Sequence, residues 1–284
     1  MRRASQSTKP RNTLPLPRRA GRPADMRVPP VLLLPAIVGL ALLVLPMAGL
    51  ALQAPWSRLP EILTSPEVVT ALRLSIVTAT TATVVCLAVG VPLAWLLART
   101  SLPGRAVVRG LVTVPLVLPP VIGGVALLVT FGRNGVVGGW LHAAFGVSLP
   151  FTTVAVVMAQ VFVAMPFLVV AVEGALRTAD TRYDDVAATL GASRWTTFRR
   201  VTLPGVAPGV VAGAVLCWAR ALGEFGATVT FAGSFPGTTR TLPLAAYVAI
   251  GAGDTDGAIA ISLIMIVVAV SVLVLLRDRW VGQA

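Results

Sequence analysis

The chain has 284 residues, 56% hydrophobic and 12% charged, where a soluble domain carries roughly 25% charged residues. Its net charge of +12 is confined to segments that alternate with long uncharged runs, which argues against a nucleic-acid-binding surface. Six runs approach the roughly 20 apolar residues needed to cross a bilayer, so the expected class is an all-α membrane protein with six spanning helices.

Residues 1–27 hold eight Lys or Arg together with Pro10, Pro15, Pro17 and Pro23. This composition predicts a disordered basic cytoplasmic tail, and residues 28–284 form the membrane domain. Val31–Leu52 is the first span; its apolar run exceeds a signal-peptide core of about 7–15 residues, so it is read as uncleaved. Residues 53–73 form an outward loop leading as an amphipathic helix into the second span, Leu74–Ala98. A short loop with Arg99, Arg105 and Arg109 precedes the third span, Gly110–Gly132. Within that span the run from Pro115 through Pro119 and Pro120 to Gly123 and Gly124 predicts a broken helix, because each interior proline frees a carbonyl one turn back. Residues 135–150 are loop-like, and the fourth span covers about Thr152–Leu176.

The fifth span, about Gly209–Phe225, carries Arg220 and Glu224 four residues apart on one helix face. A lone charge at that depth is costly. The pair therefore either neutralises itself or lines a path for an anion, with Thr228 just beyond. Residues 227–256 form the longest outward segment, with a short surface helix at Thr241–Ile250. The sixth span is Gly257–Leu276.

Of the 23 Lys and Arg, 18 lie in the two tails and the 99–109 and 173–208 loops, and four in the alternate loops. This positive-inside bias predicts cytoplasmic termini and a multi-pass protein of the cytoplasmic membrane. Cys86 and Cys217 fall inside spans and read as small core residues. The single histidine, His142, gives a metal site little to build on, and no metal is expected. With only Arg220 and Glu224 deep in spans, an intramembrane enzyme is not expected and no catalytic residue is assigned. The only lysine, Lys9, has no glycine-rich loop around it, so the chain lacks a P-loop.

The 177–208 loop is the most informative segment. Asp180 or Thr181 can cap a helix, and Tyr183, Val186, Ala187 and Leu190 recur at helical spacing. Gly191 is suited to a helix end. Ser193 can cap a second short helix bearing Trp195 and Phe198, which Pro204 would end. Such a hairpin, flanked by Arg194, Arg199 and Arg200, either lies on anionic headgroups or docks a soluble partner.

The spacing Asp185-Val186-Ala187, three residues, Gly191-Ala192, then Val201, Thr202, Leu203-Pro204 resembles the "EAA loop" of permease subunits of binding-protein-dependent ABC importers. Asp185 stands for the usual Glu and Val186 for an Ala. The resemblance implies the type I, MetI-like permease fold. It also implies that this loop (Asp185, Val186, Ala187, Leu190, Gly191, Ala192, Trp195, Phe198, Leu203, Pro204) couples to an ATPase. The implied assembly has two copies of this chain, two ABC ATPase subunits that hold ATP and Mg, and an extracytoplasmic oxyanion-binding protein. This chain itself binds no cofactor.

The stretch Ala219–Thr228, with Phe231-Ala232-Gly233, Pro236-Gly237-Thr238 and Thr241–Ala245, resembles the molybdate branch of these permeases. The Gly223-Glu224-Phe225-Gly226 core is shared with sulfate and thiosulfate permeases. Molybdate, with tungstate as a companion, is the expected cargo, and sulfate or thiosulfate the alternative. Pro119, Pro120, Gly123, Arg220, Glu224 and Thr228 are the candidate path or gate.

Overall fold

The computed structural model describes residues 30–101 and 103–281; the basic 1–27 segment lies outside them. Contacts divide the chain into two units, 1–48 and 49–284. The first unit contributes most of α1 (Pro30–Leu52), apolar along its whole length with Pro35 and Pro46 inside it.

The second unit continues with α2 (Leu59–Leu63), α3 (Pro66–Arg99), α4 (Arg105–Val117), α5 (Pro120–Phe131), α6 (Val136–Phe145) and α7 (Thr153–Thr178). Then come α8 (Arg182–Thr189), α9 (Arg194–Thr197), a π turn (Phe198–Thr202), α10 (Leu203–Gly205) and α11 (Ala207–Leu222). The chain closes with α12 (Gly226–Phe231), α13 (Leu242–Gly251) and α14 (Thr255–Val281). No strand occurs among the described residues.

Four helices (α1, α3, α7 and α14) are unbroken, long and apolar enough to cross a membrane. Counting each of two bent pairs as one span gives six. The third span is the pair α4 and α5, which meet at 117°. The break falls at Leu118-Pro119, where Pro119 and Pro120 offer no N–H to the turn before. In the other pair, the segment Arg194–Gly205 meets α11 at 73°.

Two expectations are corrected. The 135–150 segment is not all loop: α6 is a ten-residue helix closed by Gly146 in the left-handed region (φ 67°). Pro204 does not end the second short helix. The helical path runs on to Gly205 because the π turn at Phe198–Thr202 shifts the hydrogen-bond register just before a residue with no donor.

The core is built on α3, α7 and α11. Small residues let the backbones approach: Ala79, Ala82, Cys86, Gly90 and Ala94 on α3, and Gly213, Cys217 and Ala221 on α11. In a bilayer such close packing replaces the hydrophobic drive as the cohesive force. Leu168 of α7 fills the gap they leave: a Cβ on Gly90 would sit 3.1 Å from Leu168 Cδ2, and one on Gly213 3.0 Å from Leu168 Cδ1. Polar clips add direction. Gln160 Nε2 donates to Thr78 Oγ1 at 3.1 Å, and Trp218 Nε1 to Thr80 Oγ1 at 3.1 Å. Cys86 and Cys217 are free, buried and part of this core.

At the end away from the 177–208 loop, residues 232–241 form a compact turn. Thr239 Oγ1 accepts from Phe235 N at 2.9 Å. Thr153 Oγ1 donates to the Thr238 carbonyl at 2.9 Å, and Leu242 N donates to Ser75 Oγ at 2.7 Å. The turn is thereby fastened to both α7 and α3.

The break in the third span packs against a second break, between α11 and α12. A Cβ on Gly124 would lie 2.8 Å from the Ala227 carbonyl oxygen and 2.8 Å from Thr230 Cβ. One on Gly226 would lie 2.9 Å from Pro120 Cβ. Gly124→Leu is therefore expected to destabilise the protein by about 1–3 kcal/mol or more through overpacking. Gly110→Ala, where nothing lies within 4 Å, serves as the control. The readout is the thermal midpoint of the purified protein by size-exclusion chromatography after heating; equal midpoints would contradict the close α5–α12 approach.

Candidate functional site

The 177–208 loop folds as its residue types dictate. Asp180 Oδ1 accepts from Arg182 N at 3.0 Å, so the carboxylate caps the start of α8. The Arg182 guanidinium beside it, helped by that N–H, holds the Asp180 carboxyl below the usual carboxylate range. The helix stops where Gly191 takes φ 80°, with Gly191 N bonded to Ala188 O and Ala192 N to Ala187 O. A left-handed position of this kind suits glycine. Ser193 Oγ then accepts from Thr196 N at 3.2 Å and caps α9.

Tyr183, Val186 and Leu190 lie on one face of α8, 68%, 56% and 82% exposed, with Asp185 exposed alongside. Three large side chains of this kind left uncovered on one short helix form a surface suited to a partner. The opposite face is tied to the spans. Asp184 lies 3.9 Å from Arg99 at the end of α3 and accepts from Thr202 Oγ1 at 2.9 Å. Arg99 also donates to the Ala179 carbonyl at 3.4 Å. Of the two adjacent acids, Asp184 holds the hairpin to its own protein and Asp185 faces outward. Phe198 does not face outward with Trp195. It is packed edge-on against Trp95 of α3 (5.9 Å) and stacked under Trp195 (5.7 Å). Leu203 and Pro204 lie in α10, the lead-in to α11.

The second group lies at the two helix breaks. Pro119 and Pro120 are exposed at the start of α5, while Gly123 and Gly124 are buried. Arg220 and Glu224 do not share one helix, because α11 ends at Leu222. Glu224 stands in the break, 1% exposed. Its Oε1 accepts from Ala227 N at 2.8 Å and caps α12. Its Oε2 lies 2.7 Å from Arg220 Nη2 as an ion pair, without the alignment of a hydrogen bond. Arg220 is 26% exposed at the side chain. Thr228, one turn on, is fully buried and its hydroxyl has no partner. The α5–α12 packing brings Pro120 against Gly226 and Gly124 against Ala227, the residue whose N–H Glu224 accepts, while Gly123 faces Phe162.

One ionic cluster went unread in the sequence. Glu173, 8% exposed at its side chain, sits among Arg105 (4.0 Å), Arg109 and Arg177 (2.9 Å). It joins α4 to α7 on the arginine-rich side. The readable signal was isolation: Glu173 is the only acid between Glu67 and Asp180. Among the described residues no group of His, Cys, Asp and Glu could hold a metal ion.

Two predictions follow from these ion pairs. Glu224→Gln keeps the acceptor that caps α12 but strips Arg220 of its counter-ion. It is expected to cost about 1–3 kcal/mol, less than a fully buried pair because Arg220 reaches solvent. Arg220→Met with Glu224→Gln should recover most of the folded yield, whereas Arg220→Met with Glu224→Leu should recover less, because the cap is gone. Equal recovery by both would show that the cap contributes nothing. Glu173→Gln leaves three arginines facing one another and should lower the thermal midpoint. Arg58→Gln, whose pair with Asp256 is exposed, should barely move it. A Glu173→Gln shift no larger than that of Arg58→Gln would rule out a structural role for the cluster.

Comparison with known proteins agrees with this architecture. The family model described as "binding-protein-dependent transport system inner membrane component" matches residues 90–283. The molybdenum transport system permease protein ModB of Mycobacterium tuberculosis is 54% identical over 217 residues, 76% of this chain and 81% of that protein. ModB of Escherichia coli K12 is 43% identical over 189 residues, covering 66% and 82%. The sulfate transport system permease protein CysT of E. coli K12 is 34% identical over 212 residues, covering 74% and 76%. A bacterial ABC transporter that imports alginate has the same fold, with a TM-score of 0.72 at 18% identity over 89% of this chain and 95% of that one. The MetNI methionine transporter in inward-facing form follows at 0.59, with 17% identity over 77% and 96%. A chain with this fold, matched over most of its length by the family model and by such relatives, belongs to the family of inner membrane components of binding-protein-dependent transport systems.

Proposed function

We propose that this chain is the membrane-spanning subunit of an ATP-driven importer that carries molybdate, with tungstate as a companion cargo, across the cytoplasmic membrane. The observation that carries the cargo is the order of its relatives: molybdenum permeases at 54% and 43% identity stand ahead of a sulfate permease at 34%. The sulfate or thiosulfate alternative is correspondingly less favoured.

The chain is a transport subunit, and hydrolysis belongs to a partner. In the proposed assembly two copies pair, two ABC ATPase subunits bind ATP and Mg, and an extracytoplasmic oxyanion-binding protein delivers the cargo. The arginine-rich face is cytoplasmic in this reading, supported by the positive-inside bias. There the exposed Tyr183, Val186 and Leu190 face of α8 would seat in the ATPase, with Asp185 at its rim. Closure of the ATPase pair on ATP would push α8 and α9. The broken spans would then reopen on the other side, a rigid-body form of alternating access. Pro119, Pro120, Gly123, Arg220 and Thr228 are the proposed gate and path, with Glu224 holding Arg220 in place. A path whose single cation is already paired with Glu224 suits a dianion that must pass and not stay.

Gly191→Val tests the coupling role. Position 191 has open space around a Cβ, so the substitution strains a left-handed backbone by about 1–2 kcal/mol without unfolding the spans. The variant is expected to insert normally and to lose copurifying ATPase or uncouple hydrolysis from uptake. Asp185→Ala should act in the same direction more weakly, as a rim charge does. The measurements are ATPase retention on the purified permease and uptake of radiolabelled molybdate, with sulfate as competitor, in membrane vesicles. Wild-type retention and uptake in Gly191→Val would remove the loop as the coupling element. Uptake of sulfate in preference to molybdate would overturn the cargo.

A further inference from the structure

A groove of about 260 Å³ opens beside the arginine-rich end of α3, lined by Pro92, Trp95, Arg194, Trp195 and Phe198. Its walls are almost wholly apolar, and its floor belongs to a membrane span. Trp95 lies four residues before the end of α3 at Arg99 and Pro92 seven before it. At 1.5 Å per residue these positions are about 6 and 10 Å below the helix end. The groove therefore runs from hydrocarbon depth up to the level of the interface. Three aromatic rings in continuous contact (Trp95, Phe198, Trp195) form its wall, and Trp at that level is the residue type that faces headgroups.

The rim is cationic. Arg194, Arg199 and Arg200 are exposed, and none lies within ion-pair distance of an acid among the described residues. The other arginines around this end do have partners: Arg99 with Asp184, Arg105, Arg109 and Arg177 with Glu173, and Arg182 with Asp180. An unpaired Arg194 lining an apolar slot, with exposed Arg199 and Arg200 in the adjoining π turn, matches one ligand chemistry, an acyl chain below a phosphate. A soluble ATPase could reach the rim but not a floor at Pro92, and the apolar face of α8 is a separate surface for it.

We propose that this groove is a binding site for an anionic phospholipid, its acyl chain against Pro92, Trp95 and Phe198 and its phosphate at Arg194, with Arg199 and Arg200 adding positive charge nearby. The bound lipid wedges between the span α3 and the α9 segment, so the lipid composition of the inner leaflet sets how firmly the 177–208 hairpin is held. The site rests on the membrane embedding of the chain and on the arginine-rich face being cytoplasmic. It does not depend on the cargo.

The test uses the purified full-length permease, wild type against Arg194→Gln with Arg199→Gln and Arg200→Gln. Phosphatidylglycerol or phosphatidylcholine is supplied from mixed vesicles, and retained lipid is counted by native mass spectrometry. Wild type is expected to retain phosphatidylglycerol over phosphatidylcholine. Loss of the arginines should lower phosphatidylglycerol retention by about fivefold for each that contacts the phosphate, with phosphatidylcholine unchanged. Hydrogen exchange on the wild-type protein needs no variant: phosphatidylglycerol vesicles should protect residues 92–99 and 194–200 more than phosphatidylcholine vesicles do.

Equal retention of both lipids by wild type would overturn the proposal. So would unchanged phosphatidylglycerol retention in a triple variant that has lost its copurifying ATPase, since the arginines would then serve the partner protein. Displacement of phosphatidylglycerol by millimolar inorganic phosphate would make this a soluble-anion site and would also overturn it. Lipid selectivity without molybdate uptake would leave the groove standing and remove the importer reading.

Discussion

A helix that breaks inside a membrane needs support from its neighbours, and this protein packs two breaks against each other. Pro119 and Pro120 leave carbonyls of the preceding turn without donors, and Gly223 interrupts the path from α11 to α12. An unpaired backbone group facing lipid costs several kcal/mol, and the packed side of these breaks is buried at Gly123, Gly124, Gly226 and Ala227. Glycine at 124 and 226 lets α5 and α12 approach until backbone meets side chain directly, with no room for a Cβ. Glu224 completes the arrangement by giving the first turn of α12 an acceptor and Arg220 a counter-ion. The rest of the bundle, built on the small-residue seam of α3, α7 and α11, is the frame that keeps these two weak points pressed together.

The ionic contacts divide by position into two kinds. On the arginine-rich side, Glu173 and Asp184 each bind helices that are distant in sequence, α4 to α7 and α3 to the hairpin. They act as staples between elements. Arg220 and Glu224 act within one segment and hold a helix break in shape. The first kind fixes where the hairpin stands, and the second fixes how the fifth span bends. Charge is costly in a bilayer protein, and here each buried acid is placed where a joint needs definition.

Much of the fold was legible because the bilayer imposes a simple grammar. Uncharged runs gave the spans, proline density gave the break in the third, and Gly191 and Ser193 gave the turn and cap of the hairpin. What was illegible depended on contacts across sequence distance. Glu173 was not singled out because two of its partners, Arg105 and Arg109, lie on another helix far earlier in the chain. Arg220 and Glu224 read as one helix face because four-residue spacing implies a continuous helix, and only the structure reveals that Glu224 lies beyond its end. Residues 135–150 read as loop because Gly138 and Gly139 mask a ten-residue helix. Phe198 read as a docking residue because helical spacing cannot reveal that Trp95, about a hundred positions earlier, already covers it.

The connection between the hairpin and the breaks is short and stiff. Beyond the π turn the chain passes Leu203-Pro204-Gly205 and Val206 and enters α11, whose 16 residues extend about 24 Å to Gly223. No flexible loop intervenes: Thr202 is held by Asp184 at one end of this segment, and Glu224 by Arg220 at the other. In the proposed coupling, a push on α8 would reach α11, a continuous rod, across the 73° bend before it. That rod packs along α7 and α3 through close contacts, with Gly213 against Leu168 and Trp218 bonded to Thr80. Its far end is the one place in the span where the backbone is already interrupted. In the proposed cycle, displacement of this rod would be taken up at its far end, at the α5–α12 contact. There Gly124 and Gly226 leave no room for a Cβ, so the proposed movement would meet a close-packed contact.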